Sequence, residues 1–243
     1  MNKIETLKNM IYESDRIVFF GGAGVSTASG IPDFRSADGL FMQDSGYQVS
    51  AEEIISHSFF EKYPQIFFDY YFDHLVYPDA KPNACHRYLA DLEAKGKEVA
   101  IVTQNIDGLH QEAGSQKVYE LHGSVWDNYC LKCKRHYRTE DLEKDEQGIP
   151  RCSFDQAIVR PNVVLYEEAL DQKEILGAVR AIEQADLMIV AGTSLRVYPA
   201  AGLIDYFNGS YLAVINKTKI QVDRKDTLVF EDSLTNVFKA LDI

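Results

Sequence analysis

Residues 16–20, RIVFF, form a short apolar run, and GGAGVSTASG follows at residues 21–30. A buried strand running through a glycine-rich turn into a helix commits a chain to a parallel sheet with helices on its faces. Gly22 and Gly24 form a G-x-G that lets backbone N–H groups approach a pyrophosphate closely. Thr27 stands where a dinucleotide fingerprint has its third glycine, and no strand ending in an acidic residue follows at the expected distance. An ordinary dehydrogenase-type site is therefore poorly supported. A merely structural turn remains an open reading of the G-x-G alone.

Ile4, Leu7, Met10 and Ile11 predict an amphipathic helix over residues 2–14. Further strands are predicted over 98–104, 163–165, 186–192, 211–216 and 227–230. Helices are expected over 171–184, over 199–207 and at the C-terminus. Nearly eighty residues without a convincing strand separate the first two strands, although a βαβ unit needs only about 30. That interval carries two capping-box signatures, Ser50 with Glu53 and Ser58 with Glu61, and then a helix from Pro82 to about Lys95. A second insertion, 129–158, is charged, cysteine-bearing and poorly periodic. The expectation is one α/β domain spanning 1–243. Its core takes about 1–35, 97–128 and 159–243, and a small lobe is built from about 36–96 and 129–158.

With 243 residues, of which 46% are hydrophobic, the chain can bury a sizeable core. A net charge of −12 and a pI near 4.9 disfavour nucleic-acid binding and suit a basic protein or peptide partner. MNKIETLKNM lacks the apolar region of a signal peptide, and no stretch approaches the roughly 18 apolar residues of a membrane span. A cytoplasmic location is the expectation. Cys85, Cys130, Cys133 and Cys152 are the four cysteines. The C-x-x-C of Cys130 and Cys133 points to metal or redox chemistry in such a compartment.

The strand over 98–104 runs into TQNIDGLHQEAGSQKVYELHG (103–123), which places Gln104, Asn105, Asp107, His110 and His122 near its carboxyl end. Ligands of open α/β sheets bind there. Together with GAGVSTASGIPDFRS (22–36), GTSLRVYPAAGL (192–203) and VIN (214–216), this order of motifs resembles the sirtuin family, bacterial type, of NAD-dependent protein-lysine deacylases. The resemblance implies a Rossmann-like parallel sheet with helices on both faces and a smaller helical, cysteine-containing, zinc-ribbon-like lobe. It implies that Ala23, Gly24 and Thr27 line the diphosphate and ribose of NAD, under a loop carrying Phe34 and Arg35. Gln104 and Asn105 would contact the nicotinamide ribose, and Ile106 and Asp107 the nicotinamide itself. Gly192, Thr193, Ser194 and Asn216 would hold the adenosine side. His122 matches the general base, and with Asn105 it forms the implied catalytic pair. Val164, Tyr166, Tyr71 and His74 would border the acyl-lysine.

In the implied mechanism the acyl oxygen attacks the ribose carbon that bears nicotinamide. Oriented amides and Asp107 hold the leaving group, and a histidine with an ordinary pKa near 6.5 deprotonates the ribose. The products are free lysine, nicotinamide and O-acyl-ADP-ribose. Acylated protein lysines are the expected partners, deacetylation is the expected activity, and the oligomeric state is open. An NAD-dependent ADP-ribosyltransferase and a non-catalytic NAD or ADP-ribose sensor remain alternatives. His122 argues against the first, and the intact nicotinamide motif against the second.

Three departures from the family pattern stand out. The second cysteine pair reads Cys152-Ser-Phe-Asp155, so the zinc ligands implied are Cys130, Cys133, Cys152 and Asp155. Three thiolates and a carboxylate admit a structural zinc, and a module held by packing alone is the alternative. Tyr166-Glu167-Glu168 replaces the usual Phe-Gly-Glu, placing bulk and negative charge at the tunnel mouth. Desuccinylating relatives carry Tyr-x-x-Arg where this chain has Tyr71-Phe-Asp-His74. Among the other histidines, His110 is expected to hydrogen-bond a helix end, His86 to pack or hydrogen-bond, and His57 and His136 to face solvent. Cys85 is expected to be an inert buried thiol.

Overall fold

The computed structural model describes residues 2–36, 39–220, 222 and 224–241. In chain order, α1 (Lys3–Glu13) leads into β1 (Arg16–Gly21), and the glycine-rich loop follows as two short 3-10 turns, Ala23–Val25 and Thr27–Ser29. Four helices come next: α2 (Ala51–Ile54), α3 (His57–Lys62), α4 (Pro64–His74) and α5 (Ala84–Ala94). Then come β2 (Glu98–Thr103), α6 (Leu109–Glu112), β3 (Val118–Glu120), β4 (Gly123–Cys130), β5 (His136–Arg138) and β6 (Val159–Val163). The chain ends with α7 (Gln172–Gln184), β7 (Leu187–Ala191), β8 (Tyr211–Asn216), β9 (Leu228–Glu231) and α8 (Leu234–Ala240).

Six strands form one parallel sheet in the order β3-β2-β1-β7-β8-β9. Alternation along β1 feeds two cores. Ile17 and Phe19 point toward α1, α5 and α8, where Leu7, Leu89 and Phe238 are buried. Val18 and Phe20 point the other way, toward Ile182 of α7 and Leu203. The chain order reverses between β1 and β7, so the loops leaving their carboxyl ends meet at the topological switch point.

The small lobe is a three-stranded antiparallel sheet, β5-β4-β6, beside an aromatic cluster of Phe60, Phe67, Phe68 and Tyr71. Here the sequence expectation needs correction. The apolar run 163–165 is no strand of the parallel sheet: Val163 closes β6 and pairs with Gly123 of β4. The region over 199–207 is a 3-10 helix, Ala200–Tyr206. Ser50 does cap α2 by accepting from the Glu53 N–H. The cap of α3 is Ser56 rather than Ser58, because Ser56 Oγ accepts from the Phe59 N–H.

Candidate functional site

The site is assembled at the switch point. Gly24 N–H donates to the Gly192 carbonyl at 2.8 Å, which locks the β1 loop against the β7 loop. A Cβ on Gly24 would lie 2.8 Å from Gly192 Cα, so only glycine permits this approach. A cavity of about 900 Å³ opens above the two loops. Ala23, Gly24, Thr27, Phe34 and Arg35 line one side of it, and Gly192, Thr193, Ser194 and Asn216 also border it. Gln104, Asn105, Ile106, Asp107 and His122 enter from the ends of β2 and β3. Val164, Tyr166 and His74 complete the wall. Tyr71 stands apart from the other expected site residues. It is fully buried against Phe67, is not among the residues lining the cavity, and its hydroxyl has no hydrogen-bond partner.

A chain of short hydrogen bonds fixes the polar end. Asn105 Nδ2 donates to Ser26 Oγ at 3.0 Å, and Ser26 Oγ donates to Asp107 Oδ2 at 2.6 Å. Asp107 Oδ1 accepts from the Leu109 N–H at 2.9 Å, and Trp126 Nε1 donates to the Asp107 carbonyl at 2.7 Å. Burial raises the Asp107 pKa, while the bonds from Ser26, Leu109 and Asn105 work against that rise. Gln104 Oε1 accepts from Thr193 Oγ1 at 3.2 Å, but its Nε2 is buried without a partner among the described residues. An orphaned amide donor on a cavity-lining residue fits a polar ligand.

His122 Nδ1 lies 2.9 Å from the Gln104 carbonyl. A carbonyl only accepts, so Nδ1 carries the proton and Nε2 keeps its lone pair. Burial lowers the His122 pKa, opposed by that same bond, so the neutral ring is favoured at physiological pH. Glu120, two residues away, has its pKa pushed up to about 7, mainly by burial, with the charges of Asp107 and Glu174 adding to the rise.

The loop after β6 hangs from a buried cation. Arg160 is 5% exposed and binds Glu168 through two bonds of 2.6 and 3.1 Å. It also donates to the Val163 carbonyl at 2.8 Å. Glu168 accepts in addition from the Leu165 N–H at 2.9 Å, and His57 Nδ1 lies 2.8 Å away. Burial pushes the Glu168 carboxyl up, yet Arg160, Leu165 and His57 together hold it below its ordinary range. Glu167 sits at φ 76°, where glycine is favoured, and its carboxylate accepts from Ser58 N and Oγ at 2.9 and 3.0 Å. Glu167 lines the cavity, and its charge is tied to the start of α3.

The other histidines separate cleanly. His57 is tied to Glu168 and is not a freely solvated side chain, whereas His136 is exposed beside Asp127. His86 Nδ1 accepts from the Asn83 N–H and completes the cap of α5, and Cys85 is buried. Among the described residues His110 makes no hydrogen bond to a helix end: both ring nitrogens are buried without partners there, against Phe19 and His86. His74 stacks on Tyr70 with centroids 4.4 Å apart. Ser26, Asn83, Glu120, Trp126 and Arg160 escaped sequence reasoning. Ser26, Asn83 and Trp126 have partners far along the chain, Arg160 meets Glu168 only eight positions on, and only the capping position of Asn83 before α5 gave a local signal.

In the small lobe, the Sγ atoms of Cys130, Cys133 and Cys152 and a carboxylate oxygen of Asp155 all lie within 4.8 Å of one another. Cys133 and Cys152 Sγ are 3.6 Å apart, and Cys130 Sγ is 3.4 Å from Asp155 Oδ1. Ligands on a tetrahedral zinc with bonds of about 2.3 Å stand about 3.7 Å apart. The donor set and its spacing therefore fit that metal.

Residues 22–199 match the Sir2 family model. The chain is 55% identical to an NAD-dependent protein deacetylase of Clostridium perfringens, over 99% of each chain. It is 44% identical to an NAD-dependent protein deacetylase of Staphylococcus aureus, over 99% of this chain and 98% of the other. A Sir2 structure bound to acetylated peptide superposes with a TM-score of 0.85 at 36% identity, covering 98% of this chain and 96% of the other. A Sir2 complex with p53 peptide and NAD+ gives 0.83 at 37% identity over the same shares. With a family match that begins in the glycine loop, and a fold shared over nearly its whole length, this chain belongs to the Sir2 family.

Proposed function

We propose that the protein is an NAD-dependent protein-lysine deacetylase that transfers the acyl group of acyl-lysine to ADP-ribose and releases nicotinamide. One observation carries the reading. A single cavity joins a glycine cradle to an oriented amide–carboxylate cluster, and a neutral histidine with its Nδ1 already bonded lines the same cavity. The names of the relatives and the ligands of the solved Sir2 structures support it.

Ser26 and the Leu109 N–H aim Asp107 toward the nicotinamide amide, while Asn105 holds the adjoining ribose. Orientation of this kind supplies much of the barrier reduction when a leaving group must be held in one pose. His122, neutral and with Nε2 as its acceptor, takes the ribose proton as general base. Val164, Tyr166 and His74 border the acyl-lysine, and Gly192, Thr193, Ser194 and Asn216 the adenosine. Cys130, Cys133, Cys152 and Asp155 would hold a zinc ion whose contribution is to cross-link the small lobe. A reducing, cytoplasmic setting suits four free cysteines.

The test is to incubate the protein with NAD and an acetyl-lysine peptide and to weigh the products. O-acetyl-ADP-ribose with free lysine is expected. An ADP-ribose adduct on protein would favour a transferase instead, and no NAD consumption would overturn catalysis.

A further inference from the structure

Tyr166 carries a hydroxyl where the family commonly has phenylalanine, and the structure gives that oxygen a partner 131 positions away. Arg35 Nη2 donates to Tyr166 Oη at 3.3 Å. Arg35 belongs to the segment that covers the cavity, and Tyr166 to the loop that borders the acyl-lysine. Both residues also rest on the stretch from α2 to the start of α3 and on Phe41. Tyr166 N–H donates to the Ile55 carbonyl at 3.1 Å, and its carbonyl accepts from the His57 N–H at 3.0 Å. Arg35 lies over the Phe41 ring at 5.3 Å, with its Nη2 3.6 Å from Glu52 Oε1. Phe41 in turn meets Phe34 at 5.2 Å and Tyr166 at 6.5 Å between centroids.

We propose that Tyr166 is a positioning residue whose hydroxyl latches the cofactor-covering segment, through Arg35, to the acyl-peptide loop. This rests on the deacetylase reading. The two ligands meet different sides of the latch, so each favours the arrangement the other needs. By linkage the effect is reciprocal: ADP-ribose tightens peptide binding by the factor with which peptide tightens ADP-ribose. The guanidinium is about one-third exposed, so solvent screens the bond and the coupling is a few-fold rather than a hundredfold. A phenylalanine at this position keeps the ring contact with Phe41 and loses only the bond.

Tyr166→Phe isolates the latch. Binding of a fluorescent acetyl-lysine peptide is titrated by anisotropy, with and without saturating ADP-ribose, which cannot be turned over. The wild-type protein should bind peptide at least fivefold more tightly with ADP-ribose present. In Tyr166→Phe that ratio should fall to below half of its wild-type value, whatever the peptide affinity without ADP-ribose. A general loss of packing would weaken both titrations together and leave the ratio intact, which would overturn the latch. A wild-type ratio near one, or one that survives the substitution, would overturn it too. Failure of the deacetylase reading has a different signature, since wild-type protein would then neither bind the peptide nor form O-acetyl-ADP-ribose.

Discussion

Replacing Ser26 with alanine should shift the acid limb of the pH–rate profile upward. The hydroxyl is 1% exposed and is shared between Asn105 Nδ2 and Asp107 Oδ2. A hydrogen bond to a charged group contributes about 1.5–3 kcal/mol, and one pKa unit corresponds to about 1.4 kcal/mol. Losing the bond should therefore raise the Asp107 pKa further, beyond the rise that burial already imposes. If the ionised carboxylate holds the nicotinamide amide, kcat/KM for NAD falls at low pH, and its acid limb moves up with the Asp107 pKa. Stability provides a second check. A carboxyl whose folded pKa exceeds its unfolded value favours the folded state below the unfolded pKa, and that contribution is lost as pH rises through the folded pKa. The deficit of Ser26→Ala should thus be largest near neutrality, lowering Tm by roughly 4–10 °C, and should shrink in acid. A limb that moves less than about 0.3 units, with Tm equally depressed at both ends, would refute the reasoning.

His122→Ala should cut kcat by about 10²–10⁴ while NAD affinity stays within a few-fold, measured by single-turnover kinetics and calorimetry. Arg160→Met leaves the partly buried Glu168 with only His57 and the Leu165 N–H, so chemical denaturation should show a loss of about 3 kcal/mol, with a raised KM for peptide. Glu167→Ala keeps the positive φ and loses both Ser58 bonds, whereas Glu167→Gly relieves the backbone; alanine should be less stable than glycine by about 1 kcal/mol in urea melts. Deacetylation should exceed desuccinylation at least about tenfold in kcat/KM, because His74 offers no guanidinium fork to a second carboxylate.

Local chemistry was legible and long-range partnership was not. The strand RIVFF, the G-x-G and the amides at the end of β2 each announce themselves within a few residues. Ser26 looked like one more small residue in a glycine-rich turn. Its importance comes from Asn105 and Asp107, roughly eighty positions on. Arg160 precedes a proline and carries no local signal, yet it anchors the loop that ends at Glu168. The run at 163–165 misled because an apolar segment reports burial and not the sheet that receives it. Ser58 reads as a cap from the sequence because its i+3 neighbour is Glu61. The true cap, Ser56, lacks that neighbour, and Ser58 instead meets Glu167, a contact from the other side of the small lobe.

The two sides of the cavity are held by different physics, and this bears on where the chain departs from its family. The cofactor side rests on backbone meeting backbone: Gly24 on Gly192 at 2.8 Å, with no room for a Cβ. Any side chain added there displaces a loop, so few residues serve. The proposed substrate side adds side-chain contacts, Arg160 on Glu168, Glu167 on Ser58 and Tyr166 on Arg35, to the backbone bonds of Tyr166 with Ile55 and His57. Each of those side-chain contacts can be exchanged for another while the sheet stays in place. Tyr166, Glu167, His74 and Asp155 all fall on the substrate side or in the small lobe beside it. Selectivity can therefore change there by single substitutions, while the geometry that orients the cofactor stays fixed by glycine.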